Sequence, residues 1–256
     1  MTTRGGLSVC VIACDEEAEL PRCLASVSFA DEMIIVVDAK STDGTEAIAR
    51  EHGTRVEVRP YAGDIEQKGY ATSLATREWV LVVDPDEVVS PALGASVQRV
   101  IASGGAPNGY ALDRMTWHLG RWIRHGDFYP DWTVRLFRRG AYRWGGRNPH
   151  GRIEVDGATE RLGSVLEHYS YVDLADHLER VQRWSSQAAE GLDAEGRRAR
   201  GVDLLFRPLW RVFRGYILKR GFLDGMPGLV VAVVNGVYVF LKYAKLWERQ
   251  HQAARA

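Results

Sequence analysis

The chain has 256 residues, 46% of them hydrophobic, which is ample for a packed core and excludes an intrinsically disordered chain. Lys plus Arg and Asp plus Glu both number 33, so no net field points to nucleic acid as a partner. Cys10, Cys14 and Cys23 lie near the N-terminus without a C-x-x-C spacing, which argues against a disulfide framework or structural zinc and leaves reduced core thiols as the expectation.

The first apolar run, Leu7 to Ala13, is ended by Asp15-Glu16-Glu17 before it reaches signal-peptide or transmembrane length, so the catalytic part is expected in the cytoplasm. Apolar runs at Val9 to Ala13, Met33 to Val37, Val56 to Val58 and Val80 to Val83 alternate with helical segments at Glu16 to Val27, Gly44 to His52 and Glu66 to Arg77. That rhythm predicts an α/β fold, a mostly parallel twisted sheet flanked by helices. Ligands of such sheets bind at the carboxyl ends of the strands, the edge where Asp15, Asp38 and Asp84 fall.

The most informative stretch is W-V-L-V-V-D-P-D-E, Trp79 to Glu87, in which a doubly buried strand runs straight into two carboxylates one residue apart. Asp84 and Asp86 are hard oxygen donors able to share a Mg²⁺ or Mn²⁺ that keeps other positions for water and diphosphate oxygens. An acidic turn ahead of a helix at Ser90-Pro91 is the competing account of the same residues.

After the loop Gly104 to Gly109, short strands are expected at about Tyr110 to Met115, Thr133 to Phe137 and Arg152 to Val155. Trp117, Trp122, Phe128, Tyr129, Trp132 and Trp144 mix here with His118, Arg121, Arg124 and His125, a composition suited to stacking on a sugar and pairing with phosphates, or to an aromatic core with a basic rim. Leu174 to Ala199 reads as a polar helix, with a hinge at Gly191 to Gly201. The chain is thus expected to divide into a catalytic domain, 1–200, and a helical extension, 201–256. In that extension Arg207, Arg211, Arg214, Lys219 and Arg220 interleave with large apolar residues, and the apolar run Gly228 to Leu241 follows. Asn235 and Gly236 interrupt the run, so an interfacial helix on an anionic membrane surface is expected rather than a span, with a hairpin buried on the protein as the alternative.

These stretches together resemble glycosyltransferase family 2, with its GT-A nucleotide-diphospho-sugar transferase fold, and in particular its lipopolysaccharide-core branch. The resemblance rests on C-D-E-E-A-E-L-P-R-C-L-A-S-V from Cys14, V-V-D-A-K-S-T-D-G-T from Val36, V-V-D-P-D-E from Val82, L-G-R-W-I-R-H-G-D-F-Y-P-D-W-T-V-R-L-F-R-R-G from Leu119, E-H-Y-S-Y from Glu167 and F-L-K-Y-A-K-L-W-E from Phe240. It implies a metal-dependent inverting transfer of a hexose from a nucleotide-sugar, a UDP-sugar first, to a hydroxyl of a membrane-bound glycan such as a lipopolysaccharide core. A polyprenyl-phosphate transferase and a non-catalytic nucleotide-sugar-binding scaffold are the rivals.

By the same resemblance Glu17, Asp38, Gln67 and Lys68 lie at the nucleotide-sugar, Asp84 binds ribose or metal, Asp86 is the principal metal ligand, His168 a further one, and Arg135 and Arg138 grip a phosphate. Glu17 in a first helical turn and Asp38 in a turn have structural explanations too. The family's usual base is a glutamate at the position that is Gly151 here, and Asp127 stands where relatives carry a glycine. Asp127 is therefore the expected base, with Glu154 second, although a strand over Arg152 to Val155 turns Glu154 away from the face of Gly151. The expected partners are the donor, a membrane glycan acceptor and an anionic membrane surface; the expected place is the cytoplasmic face of the inner membrane.

Overall fold

The structure, a computed structural model, describes residues 5–104, 107–147 and 150–253. Two compact units form: one from the N-terminus to Arg114 with Asp131–His168, the other from Met115–Pro130 with Tyr169 onward.

In the first unit β1 (Leu7–Ala13), β2 (Glu32–Asp38), β3 (Arg55–Arg59) and β4 (Trp79–Val82) form the parallel half of the sheet, in the order β3-β2-β1-β4. The crossovers are α1 (Leu20–Ser26), α2 (Thr45–His52) and α3 (Asp64–Ser73), the helices that parallel strands require. Residues alternate between two apolar clusters: Val9, Val11, Ile35, Val37, Leu81 and Val83 face one, Cys10, Ile34, Val36, Val80 and Val82 the other. This is why the strands read as unbroken apolar runs, and each buried Val, Leu or Ile contributes about 1.5–3 kcal/mol.

The first cluster is covered by α1, α2 and α4 (Pro91–Ser103), which Ser90 caps by accepting from the Leu93 amide. The second is covered by α3 and by a hairpin of β9 (Tyr142–Arg147) and β10 (His150–Val155). Beyond β4 the sheet turns antiparallel with β8 (Trp132–Arg138), continues through β6 (Gly109–His118) and β11 (Thr159–His168), and ends on β5 (Glu87–Val89) antiparallel to β11. The parallel strands predicted from the sequence are present; the antiparallel continuation makes the sheet mixed. Cys10 and Cys23 are buried thiols, but Cys14 is exposed, because it sits past the end of β1 and not within it.

The second unit is built on α5 (Leu174–Ala194), α6 (Gly201–Phe213) and α7 (Gly225–Ala253), with a π-helical turn at Arg214–Leu218 and a 3-10 turn at Gly221–Asp224. Ala189, Tyr243 and Leu246 form its buried core, with Leu192, Leu204 and Val239 packed around them. The Lys245 ammonium donates to the Gln182 carbonyl at 2.7 Å and to the Ser185 and Ser186 hydroxyls at 2.8 Å, tying α7 to α5. Because α5 is held this way, the division falls at His168 and not at the expected residue 200. Asn235 and Gly236, which interrupt the apolar run in sequence, lie within the continuous α7. A Cβ on Gly236 would stand 2.5 Å from Val212 Cγ2 and 3.2 Å from the Pro208 carbonyl, so the glycine lets α6 and α7 approach.

The aromatic and basic mixture noted in the sequence is split. Trp117, Trp122 and Tyr169 pack edge-on in the second unit, and His118, His177, Tyr171 and Phe128 form a neighbouring group there. His118 Nε2 and His177 Nδ1 are 3.0 Å apart, and burial with the neighbouring His118 lowers His177 to about 4, so this pair is a neutral core contact. Arg121 and the Arg124 and His125 amides all engage the buried Asp224 carboxylate or its carbonyl. Trp132 and Trp144 belong to the first unit, Trp132 under Arg161 and Trp144 against Gly69.

Candidate active site

Strand β4 ends at Val82, Val83 still donates to Cys10 of β1, and the next turn delivers Asp84 and Asp86 past the carboxyl edge of the parallel strands. Glu87, fully buried, closes that turn by accepting from the Asp84 amide at 2.9 Å. Asp84 is clamped: Lys68 Nζ lies 2.8 Å from Oδ1 and Arg135 Nη2 2.7 Å from Oδ2. Burial alone would raise the Asp84 carboxyl, but Arg135 and Lys68 hold it well below the usual range. Arg135 also bonds Glu87 at 2.6 Å, and Arg114 lies 3.4 Å from Glu87 and 2.7 Å from Asp131. Burial opposes the charge on Lys68, yet Asp84 and Asp64 outweigh it and raise its pKa.

Asp86 faces elsewhere. Its Oδ2 lies 3.3 Å from His168 Nε2 at the end of β11, opposite Glu87 in the register of β5. Burial raises the Asp86 carboxyl and the His168 hydrogen bond more than offsets it, leaving it below the ordinary value. One carboxylate and one imidazole converging in this way form an incomplete donor set for a divalent cation, and among the described residues no group of three His, Cys, Asp or Glu completes a cage. Diphosphate oxygens and water are the ligands such an open site leaves room for.

A cavity of about 260 Å³ opens beside the clamp, lined by Asp64, Lys68, Asp84, Arg135, Trp144 and Gly151 among others. Lys68 and Arg135, expected at the donor, are thus brought together with Asp84. Gln67 is 1% exposed with neither amide atom hydrogen-bonded among the described residues. Asp38 ends β2 as expected, largely buried, and accepts from the Lys40 and Tyr61 amides at 3.1 and 3.3 Å. Glu17 lies ahead of α1, not in a first helical turn as its position suggested, and accepts from the Gly44 amide at 2.8 Å, fixing the start of α2.

Two expected site residues of the first unit, Arg138 and Glu154, have other partners, and Asp127 belongs to the second unit. Arg138 is an odd step along β8 from Arg135 and opposes Trp79 at the start of β4, where it pairs with Glu78 and covers the Trp79 ring. Glu154 shares the side of the hairpin with Arg143 and Arg152, which bind it at 2.8 and 2.7 Å, while Gly151 and Ile153 face α3 and the core. Asp127 is only 2% exposed and is ringed by Arg211, Arg214 and Lys219 at 2.9 to 3.1 Å within the second unit. A carboxylate so enclosed is a structural counter-charge, which corrects the expectation that it takes the acceptor's proton. Glu87, Arg114, Asp131 and Asp64 were not singled out from the sequence; Glu87 closes the V-V-D-P-D-E stretch and Asp131 lies within the stretch from Leu119, whereas Arg114 and Asp64 fall in none.

An uncharacterized glycosyltransferase of Rickettsia felis is 28% identical over 94% of this chain and 89% of its own. The lipopolysaccharide core biosynthesis glycosyltransferase LpsC of Rhizobium meliloti is 28% identical over 97% of this chain and 94% of its own. Among solved structures, the mannosyltransferase PcManGT of Pyrobaculum calidifontis, in complex with GDP-Man and Mn²⁺, aligns with TM-score 0.53 and 17% identity over 97% of this chain and 89% of that one, a likeness of fold. Residues 8–158, which hold the whole parallel half-sheet, Asp84, Asp86 and the cavity, match glycosyl transferase family 2, and the chain is a glycosyltransferase of that family with a GT-A-like fold.

Proposed function

We propose that this enzyme moves a hexose from a nucleotide-sugar, with a UDP-hexose as the first candidate, to a hydroxyl of a membrane-bound glycan such as a lipopolysaccharide core, with inversion and with a divalent cation. The observation that carries the reading is the pairing of two electrostatic devices on one sheet edge: the open Asp86–His168 donor pair and the Lys68–Asp84–Arg135 clamp beside a cavity. The likeness to LpsC over nearly both whole chains supports the lipopolysaccharide acceptor.

In this reading Asp86 and His168 hold Mg²⁺ or Mn²⁺, which supplies charge stabilisation at the leaving diphosphate when bound. Lys68 and Arg135, 13% and 8% exposed, are held charged by Asp84 and meet the phosphates without reorganising. The unpartnered Gln67 amide and the Asp38 carboxylate are offered to the nucleotide; an amide left without partners costs about 1–3 kcal/mol, which a ligand would relieve. The exposed apolar residues of α6 rest on the cytoplasmic surface of the inner membrane, where such an acceptor is found.

The deciding experiment incubates the purified chain with Mn²⁺ or Mg²⁺ and UDP-, GDP- and dTDP-hexoses, following thermal stabilisation and donor turnover. Stabilisation by one nucleotide-sugar that requires the ion is expected. A donor transferred only to polyprenyl phosphate would replace the acceptor class, and nucleotide-sugar binding without turnover or transfer to any acceptor would leave the non-catalytic scaffold.

A further inference from the structure

We propose that Asp64 is the base that receives the acceptor's proton, its carboxylate reaching from α3 into the space that a side chain at position 151 would fill. The proposal rests on the transferase reading above and adds to it the group that reacts.

Asp64 and Asp84 both line the cavity beside Gly151, and they differ in what their oxygens already do. Both oxygens of Asp84 are bound to cations, Lys68 at 2.8 Å and Arg135 at 2.7 Å, which favours the ionised form and makes it a poor proton acceptor. Asp64 meets Lys68 through Oδ1 at 3.2 Å. Its Oδ2 lies 3.3 Å from the point where a Cβ on Gly151 would stand. That same point is 2.8 Å from Ile65 Cγ1, so the glycine is required by the residues that α3 presses against β10. Gly151 and Asp64 are therefore one arrangement: the strand gives up its side chain, and the first turn of the helix supplies a carboxylate to the same volume.

Access favours the assignment. The Asp64 side chain is 18% exposed and faces a cavity, against 2% for Asp127 inside its ring of cations. Lys68 fixes the carboxylate by one oxygen and leaves the other directed at the opening, the geometry that a base needs. In the step itself, an acceptor oxygen forms its bond to the anomeric carbon while its proton passes to Asp64 Oδ2. The bond from that carbon to the diphosphate oxygen breaks, and its electron pair departs on the nucleoside diphosphate. Water then removes the proton from Asp64.

The test uses the full chain with Mn²⁺, a radiolabelled nucleotide-hexose and bacterial membrane glycolipid, with calorimetric binding of Mn²⁺ and UDP as the second readout. Asp64→Asn is expected to lose transfer by about 10²–10⁴-fold while binding Mn²⁺ and UDP within about twofold of the parent. Placing the carboxylate back on the strand, with Ile65 shortened to make room for it, in Asp64→Ala/Ile65→Ala/Gly151→Glu, is expected to recover at least about tenfold over Asp64→Ala/Ile65→Ala. Transfer by Asp64→Asn at the parent rate overturns the base and leaves the transferase reading standing. Loss of UDP binding together with transfer makes Asp64 an anchor for Lys68 and also overturns it, as does a folded triple variant no better than Asp64→Ala/Ile65→Ala. A parent chain that neither binds UDP or GDP with metal nor transfers any hexose defeats both readings at once.

Discussion

Asp84 and Asp86 stand one residue apart and are put to different uses. Asp84 is neutralised by two cations and keeps Lys68 and Arg135 charged in place, whereas Asp86 has a single imidazole for company and a side chain still 25% exposed. Asp86→Asn therefore removes a metal donor without touching the clamp. Transfer is expected to fall by about 100-fold or more, with the melting temperature of the metal-free protein nearly unchanged and the stabilisation by Mn²⁺ with nucleotide lost; full activity of this variant, or of the parent in excess EDTA, defeats the assignment. Asp127 predicts the opposite pattern. Asp127→Asn leaves Arg211, Arg214 and Lys219 facing one another without their counter-charge, though each is about a third exposed and partly screened by water. A loss of about 1–3 kcal/mol in stability is expected, with turnover per folded molecule retained; a normal melting curve with lost turnover would return the proton-accepting role to Asp127. The D-x-D spacing was legible because it lies within one turn of chain. Asp64 was not, because its meaning depends on the fold bringing α3 against β10, a contact that no local pattern reports.

At the scale of elements, β1, β2 and β4 were legible because burial on both faces makes each a short apolar run, too short for a helix, whereas β3 at the sheet edge alternates Val56 and Val58 with charged residues. What the sequence could not report was why α7 carries Gly236 within its apolar run. Glycine costs about 1 kcal/mol in a helix interior, and that loss is smaller than the packing it permits against Val212 and Pro208. Gly236→Ala sets the two effects against each other: about 1 kcal/mol of helix propensity gained, against a methyl driven to 2.5 Å of Val212 Cγ2. The clash wins while Val212 is held between the helices, so the variant should melt lower by about 1–2 kcal/mol of stability, and Gly236→Ala/Val212→Ala should show a favourable coupling energy. Thermal unfolding of the double-mutant cycle decides it; a more stable Gly236→Ala would mean that the helices are not closely packed there.

At the scale of the molecule, the expected boundary at residue 200 followed composition, which changes where the basic amphipathic stretch begins, while the fold divides where α5 finds its packing partner in α7. The same folding changes the membrane argument. Five basic residues between Arg207 and Arg220 read from sequence as an electrostatic anchor. In the folded unit Arg211, Arg214 and Lys219 share the single carboxylate of Asp127, and Arg207 pairs with Asp203, so two of the five positive charges are already answered within the protein. The apolar side chains are not: Leu205, Phe206, Leu209 and Trp210 are 56% to 68% exposed, and a groove lined by Leu205, Leu209, Val233, Val237 and Phe240 runs between α6 and α7. Basic residues at an anionic surface contribute about 1 kcal/mol each, and burying one large apolar side chain contributes about 1.5–3 kcal/mol. Attachment should accordingly be driven by apolar burial. The full chain is expected to sediment with phosphatidylcholine vesicles, to gain further from added phosphatidylserine, and to stay bound at high salt through its apolar face. Phe206→Ser/Leu209→Ser/Trp210→Ser should release it without altering metal-dependent nucleotide binding, because none of these residues is near the clamp in sequence or belongs to its unit. Binding that requires anionic lipid and is abolished by salt would restore the electrostatic account, and undiminished sedimentation of the triple variant would remove α6 as the membrane-facing element.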